Sequence, residues 1–250
     1  MTNDRIALVT GASRGLGLEM CRQLAARGVT VLLSARDLAS AHKAAEIVRA
    51  DGGDCRPIAL DVTDAGQIAA VAAELDSSYG RLDVLVNNAA ILTDLGVQPS
   101  ATDEAVLRAN LDVNFVGPFM LIAALSPLLR RSDGARVLNL GTQVGSFGNL
   151  DDTRSPLVDD ICPAYQASKI ALNAATALFA KELRQEGITV NSLCPGWVMT
   201  DMGHEDLPDY GDAVAPMSPT EAVAQMLWLV EDEPSPPTGR FWSQGEEIPW

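Results

Sequence analysis

Tyr165 and Lys169 stand four residues apart in Tyr165-Gln166-Ala167-Ser168-Lys169, inside a stretch with helical patterning. That spacing puts both side chains on one helix face. A phenol with an ordinary pKa of about 10 exchanges protons poorly at neutral pH. An ammonium one turn away stabilises its anion. Lowering the pKa by roughly 2–3 units would take about 3–4 kcal/mol of differential stabilisation in a dry pocket. Such a pair can pass a proton to an oxygen atom. The same spacing also occurs on solvated helix faces, so the pair carries weight only with its surroundings.

A second chemical signal lies at the other end of the chain. Thr10-Gly11-Ala12-Ser13-Arg14-Gly15-Leu16-Gly17 follows a strand-like run and opens a helix. Glycines here allow a tight turn and let the backbone approach a pyrophosphate, while the helix N-terminus offers N–H groups and partial positive charge. This context points to a dinucleotide, against the bland alternative of a tight strand-to-helix connection. The next strand ends Ser34-Ala35-Arg36, with no carboxylate where one would bind a ribose 2′-hydroxyl. Arg36 and Arg14 could instead clamp a 2′-phosphate with fork-like hydrogen bonds, so NADP(H) is the expected cofactor. The alternative is a pair of solvated arginines beside Asp37.

The elements that position these groups alternate along the chain. Residues 6–10, 29–35, 56–62, 82–88, 135–141 and 188–194 read as strands apolar on both faces. Helical patterns fill 16–27, 38–50, 64–79, 103–130 and 163–186. Gly28 and Gly187 stand at helix stops, and Asp64 with Gln67 resembles a capping box. The alternation predicts an α/β fold: one doubly wound, Rossmann-type domain over 1–250, with a mostly parallel sheet of about seven strands and helices on both faces. Ligands are then expected beyond the carboxyl ends of the strands. The irregular stretches 143–162 and 197–219 are expected to act as substrate-loop or lid segments.

Composition narrows the function classes. Hydrophobic residues make up 47% and charged residues 20% of the 250, as in a globular enzyme, and the net charge is −15. That balance repels phosphate backbones and anionic surfaces, so neither nucleic acid nor a membrane is an expected partner. The apolar stretches read as too short for a bilayer span, and the N-terminus lacks a signal-peptide pattern. Cys21, Cys55, Cys162 and Cys194 form no CxxC pair and no cluster with His42 or His204. Free thiols, a cytoplasmic location and no metal are expected.

Thr10–Gly17, Asn87-Asn88-Ala89, Asn114, Tyr165/Lys169 and Pro195-Gly196 together resemble the short-chain dehydrogenase/reductase family over essentially the whole chain. Cys194-Pro195-Gly196-Trp197-Val198-Met199-Thr200-Asp201-Met202 and the tail Gly239–Trp250 are most similar to its NADPH carbonyl-reductase branch. The resemblance implies reversible reduction of a ketone or aldehyde by NADPH. Tyr165 would be the proton donor, Lys169 would bind the nicotinamide ribose and depress the tyrosine pKa, and Asn114 would hold a relay water. Gly11, Ser13, Arg14, Gly15, Leu16 and Gly17 would cradle the cofactor. Asp61 and Val62 would flank the adenine, and Asn88, Ala89 and Ala90 would support the adenosine side. Pro195 and Gly196 would also line the cofactor, and Val198 and Thr200 after them would bind the carboxamide. Two positions depart from the family pattern. Thr142 stands where a serine orients the substrate carbonyl, with Ser146 the weaker alternative, and Ala90 replaces a glycine. Alternatives on the same residues are a specialised ketoreductase or hydroxysteroid-type dehydrogenase, or an NADP sensor with weak catalysis. Trp197 and Phe147 suggest an apolar pocket wall. The acidic stretch 149–160 would lie at the pocket mouth, where it could shape substrate choice, cover a dimerising helix face and so favour a monomer or dimer over larger homo-oligomers, or simply be a solvated loop.

Overall fold

The central strand runs are buried at nearly every position because each face of the sheet is covered by helices. β1 (Ile6–Val9), β2 (Thr30–Ala35), β3 (Cys55–Ala59), β4 (Val84–Asn87), β5 (Arg136–Leu140), β6 (Thr189–Cys194), β7 (Phe241–Ser243) and β8 (Glu246–Glu247) form one sheet in the order β3-β2-β1-β4-β5-β6-β7-β8. All neighbours are parallel except β7 and β8. A computed structural model describes residues 4–150, 161–200, 202, 217–231 and 237–250. Most of the two expected lid segments, including 151–160 and 203–216, lies outside the described residues.

Alternation along each strand feeds two cores. Ala7, Val9, Val31 and Leu33 point into one, with α1 (Gly15–Ala25), α2 (Leu38–Ala50) and α7 (Pro219–Ala224) packed over it. Ile6, Leu8, Leu32 and Val137 point into the other, under α3 (Ala65–Tyr79), α5 (Gly117–Leu129) and α6 (Pro163–Leu183). A leucine buried this way contributes about 1.5–3 kcal/mol, so neither layer is dispensable. Strand order reverses between β1 and β4, and the parallel strands open their carboxyl ends onto one crevice there.

Four features differ from the sequence expectation. The helix expected over 103–130 is broken into α4 (Glu104–Leu111), a π turn (Asp112–Val116) and α5. Gly117 brings α5 so close to the loop after β3 that a Cβ would sit 2.8 Å from the Val62 carbonyl oxygen. The same run, Glu104–Leu129, does have the length and hydropathy of a bilayer span, contrary to the reading of shorter apolar stretches. In the fold, Leu121, Ile122, Leu125, Leu128 and Leu129 bury that apolar stripe against the sheet. Finally, the tail adds a hairpin, β7–β8, whose two-residue turn puts Gln244 at φ 51° and Gly245 at φ 83°. The expected capping box is rearranged. Asp64 Oδ1 accepts from Gly66 N–H and Gln67 N–H, but the Gln67 side chain reaches Asp61 N–H and Asp64 Oδ2 rather than Asp64 N–H.

Candidate active site

The glycine-rich turn is fixed by a hydrogen-bond clasp from the loop after β4. Thr10 Oγ1 accepts the N–H groups of Asn88 and Ala89, each at 3.0 Å. Asn88 Nδ2 donates back to the carbonyl oxygens of Thr10 at 2.7 Å and Gly11 at 3.0 Å. Asn88, read from sequence as supporting the adenosine side, thus spends its amide on the turn. Gly11, at φ +61°, passes so close to that loop that a Cβ would lie 2.7 Å from the Ala89 Cα. A Cβ on Gly17 would lie 2.5 Å from Asn88 Nδ2 and 2.8 Å from the Ala12 Cα. Arg14, the N-cap of α1, is extended and makes no side-chain cap, so the first-turn N–H groups are left to an anion. Ser13 and Gly15 are half-buried in the turn, while Leu16 packs onto the first core. This cradle fits the pyrophosphate of a nicotinamide dinucleotide.

Around it lie the other expected binding residues. Arg14 and Arg36 are both exposed at the carboxyl edge, and Ala35 is buried. Asp37, the acidic neighbour of Arg36, caps α2 through Ser40 N–H at 2.8 Å, and that bond holds its carboxyl below the usual range. Asp61 accepts both the N–H and the hydroxyl of Thr63, and Val62 is buried against Gly117. Ala90 is half-buried just beyond the clasp. On the far side, Pro195 leads into Gly196 at φ +79°, and Val198 bridges Met217. Thr200 returns to the turn, with its Cγ2 3.3 Å from where a Gly15 Cβ would be. Arg14, Gly15, Leu18, Met199, Thr200 and Pro219 line a cavity of about 350 Å³.

Tyr165 and Lys169 project from the first two turns of α6. Lys169 is 2% exposed, its Nζ donates to the Leu140 carbonyl oxygen at 2.8 Å, and it lies 5.7 Å from the Tyr165 ring centroid. Burial pulls the ammonium down to about 8. Half-buried Tyr165 moves the other way from the sequence expectation. Burial, with Cys194 and Cys162 nearby, pushes its phenol above the ordinary value. Desolvation outweighs the pull of an ammonium already engaged by Leu140, so the phenol holds its proton firmly. Thr142 follows β5 by two residues and opens a 3₁₀ turn (Gln143–Gly145), with Cys194 among its neighbours. Ser146 is turned away, donating to the Pro249 carbonyl oxygen at 2.7 Å.

Asn114 sits in the π turn and is fully buried. Its Oδ1 accepts from Ile91 N–H at 2.9 Å, while Nδ2 donates to the Ile91 carbonyl oxygen at 2.8 Å and to Ser168 Oγ at 3.0 Å. Ser168 in turn donates to the Tyr165 carbonyl oxygen at 2.7 Å. The asparagine therefore ties the β4 loop to α6 by side-chain bonds, with no hydrogen bond to Lys169 Nζ.

The described short chain dehydrogenase family model matches residues 5–211. The chain belongs to the short-chain dehydrogenase family. It is 36% identical over 197 residues to galactitol 2-dehydrogenase of Agrobacterium fabrum, covering 78% of this chain and 71% of that protein. A second relative, short-chain dehydrogenase/reductase 1 of Saponaria officinalis, is 30% identical and covers 100% of this chain and 97% of its own length. Among solved structures, the NADPH-bound carbonyl reductase from chicken fatty liver superposes with a TM-score of 0.85 at 26% identity, covering 99% of both chains.

In this short-chain dehydrogenase two expected wall residues separate. Trp197 is 38% exposed next to the Pro195-Gly196 turn. Phe147 is 72% exposed and lines a hollow with Ile170, Ala174, Ala177 and Trp250, on the side of α6 away from Tyr165. Thr10 and Ser168 were not singled out in the sequence. Thr10 carried a faint signal, a hydroxyl directly before the first glycine. Ser168 lies inside the Tyr165–Lys169 segment, but its bond to Asn114 spans 54 residues and no local spacing announces it.

Proposed function

We propose that this short-chain dehydrogenase reduces the carbonyl of a ketone or aldehyde with NADPH, reversibly, using Tyr165 as the proton donor. The observation that carries the reading is the buried Lys169, pinned to Leu140 O directly behind Tyr165, on the strand that leads to Thr142. The bound nicotinamide would supply and accept the hydride. Tyr165, its phenol kept protonated by burial, gives its proton to the carbonyl oxygen. Thr142 offers a hydroxyl to the same oxygen and orients it, in the role the family pattern gives to serine. Its methyl stiffens χ1. Lys169, charged at neutral pH with a pKa of about 8, stabilises the tyrosinate left behind and offers its remaining donors to a ribose hydroxyl. NADPH rather than NADH is supported by Arg14 and Arg36 at the edge of the cradle, by Ala35 in place of a carboxylate, and by Asp37 being committed to α2.

Following NADPH oxidation at 340 nm with a panel of aldehydes, diketones and cyclic ketones tests the activity. Turnover with at least one class is expected. Tight NADPH binding with no turnover across the panel would leave a cofactor-binding protein, the reading that Thr142 in place of serine favours. Cofactor choice has its own test. Arg36→Ala is expected to erode the NADPH-over-NADH ratio of kcat/KM by about 1–3 kcal/mol, the worth of one charge-assisted contact. An unchanged ratio would remove Arg36 from the 2′-phosphate site.

A further inference from the structure

One buried carboxylate stands at the entrance to the catalytic helix. Asp94, in the loop after β4, is 1% exposed. Its Oδ2 accepts from Ala164 N–H at 2.5 Å and its Oδ1 from Tyr165 N–H at 3.4 Å. These are the second and third residues of α6. The helix begins with Pro163, which has no N–H, and its own N-cap residue, Cys162, gives the helix no side-chain cap. Asp94 therefore occupies from 70 residues away the place that a local Ser or Asp usually takes. A carboxylate is costly to bury, and here two N–H donors and the positive end of α6 receive it.

The loop that carries Asp94 is itself fastened on both sides. Gly96 N–H donates to the Ile161 carbonyl oxygen at 2.7 Å, tying the loop to the approach of α6. Thr93 Oγ1 accepts from Asn110 Nδ2 at 2.9 Å, and Asn110 Oδ1 accepts from Asn114 in the π turn at 3.4 Å. The cap is thus held against a fixed frame rather than against a free loop.

We propose that Asp94 is a positioning residue whose carboxylate sets the first turn of α6 and so the direction in which Tyr165 presents its phenol. The proposal rests on the reading of Tyr165 as proton donor. Lys169, one turn further along, is held independently by Leu140 O. Loss of the cap would therefore shift the tyrosine against its lysine and the substrate oxygen, and misplacements of about 1 Å cost on the order of a hundredfold in rate.

The test uses Asp94→Ala and Asp94→Asn, each studied below its own melting temperature, with three readouts: backbone amide exchange at Ala164 and Tyr165, kcat for carbonyl reduction, and Kd for NADPH. In Asp94→Ala the two amides should exchange about fivefold faster or more, while those of Leu172 and Thr176 stay as they were. The value of kcat should fall about tenfold to a hundredfold, with Kd for NADPH unchanged. Asp94→Asn, which keeps one acceptor oxygen, should give a kcat between those of Asp94→Ala and the parent. Wild-type exchange at both amides overturns the cap, and faster exchange with wild-type kcat overturns the positioning role. Should Asp94→Ala fail to fold, Asp94→Asn carries the test: acceleration of at least one of the two amides with a lowered kcat is expected, and wild-type behaviour of both overturns the proposal. If Tyr165→Phe keeps full turnover, the proton-donor reading fails instead, and the exchange data still decide the cap.

Discussion

Tyr165→Phe is expected to cut kcat for carbonyl reduction by about 10²–10⁴-fold while leaving the dissociation constant for NADPH nearly unchanged. The substitution removes one hydroxyl from a half-buried ring and leaves the helix, Lys169 and the glycine cradle in place. The effect must therefore appear in the chemical step. Steady-state kinetics at saturating NADPH, paired with a fluorescence titration of the cofactor, separates the two quantities. Turnover within tenfold of the parent would mean that another group donates the proton. Thr142 would be the first suspect, since it is the other hydroxyl at the carboxyl end of β5. A fall in cofactor affinity of the same size as the fall in kcat would instead point to a general loss of the site.

The second large effect is expected from Gly17→Ala. Gly17 is in α1, where alanine is the better helix former by about 1 kcal/mol, so propensity alone predicts stabilisation. Packing predicts the reverse. The added carbon would meet Asn88 Nδ2 at 2.5 Å, the Ala12 Cα at 2.8 Å and the Gly11 carbonyl oxygen at 2.9 Å. Two of these are backbone atoms, and the Asn88 amide is pinned by its bonds to Thr10 and Gly11. Overpacking of this kind costs about 1–3 kcal/mol, which outweighs the propensity gain. The relief available is to push the turn off the β4 loop, which also spoils the pyrophosphate cradle. A melting temperature lower by roughly 2–8 °C and an NADPH affinity weaker by about tenfold or more are expected from thermal melts and cofactor titration. A variant as stable as the parent and equally tight for NADPH would show that the clasp yields without cost.

How far the sequence reached depends on whether the signal was local. Strands β1 to β6 were legible because burial on both faces makes them short, mostly apolar runs, as in Ile6–Val9. β7 and β8 are three and two residues long, too short to show any period, and their turn uses Gln244 at positive φ where Asn or Gly is the usual sign. The π turn was hidden because the apolar stripe continues through residues 103–130 whatever the hydrogen-bond pattern does. In the site, the types and spacing of Tyr165, Lys169 and the glycines were readable, since each acts through its own chemistry. The partners of Asn88, Asn114 and Asp94 were not, because those bonds join segments 23 to 78 residues apart and leave no trace in either segment alone. The tyrosine shift runs opposite to the sequence expectation for the same reason. It depends on how much protein surrounds the ring, and that is a property of the packed fold.

The clasp between Thr10 and Asn88 also bears on how the molecule comes to exist. β1 has no strand partner nearer in sequence than β2, and its other neighbour, β4, lies 77 residues away. A ribosome exposing the glycines must make another seventy-odd residues before Asn88 can reach back and lock them. Contacts closed over such long loops form late and slowly. Nucleotide can therefore offer no help to the early collapse of this chain, and its stabilising influence begins only after the centre of the sheet has zipped together.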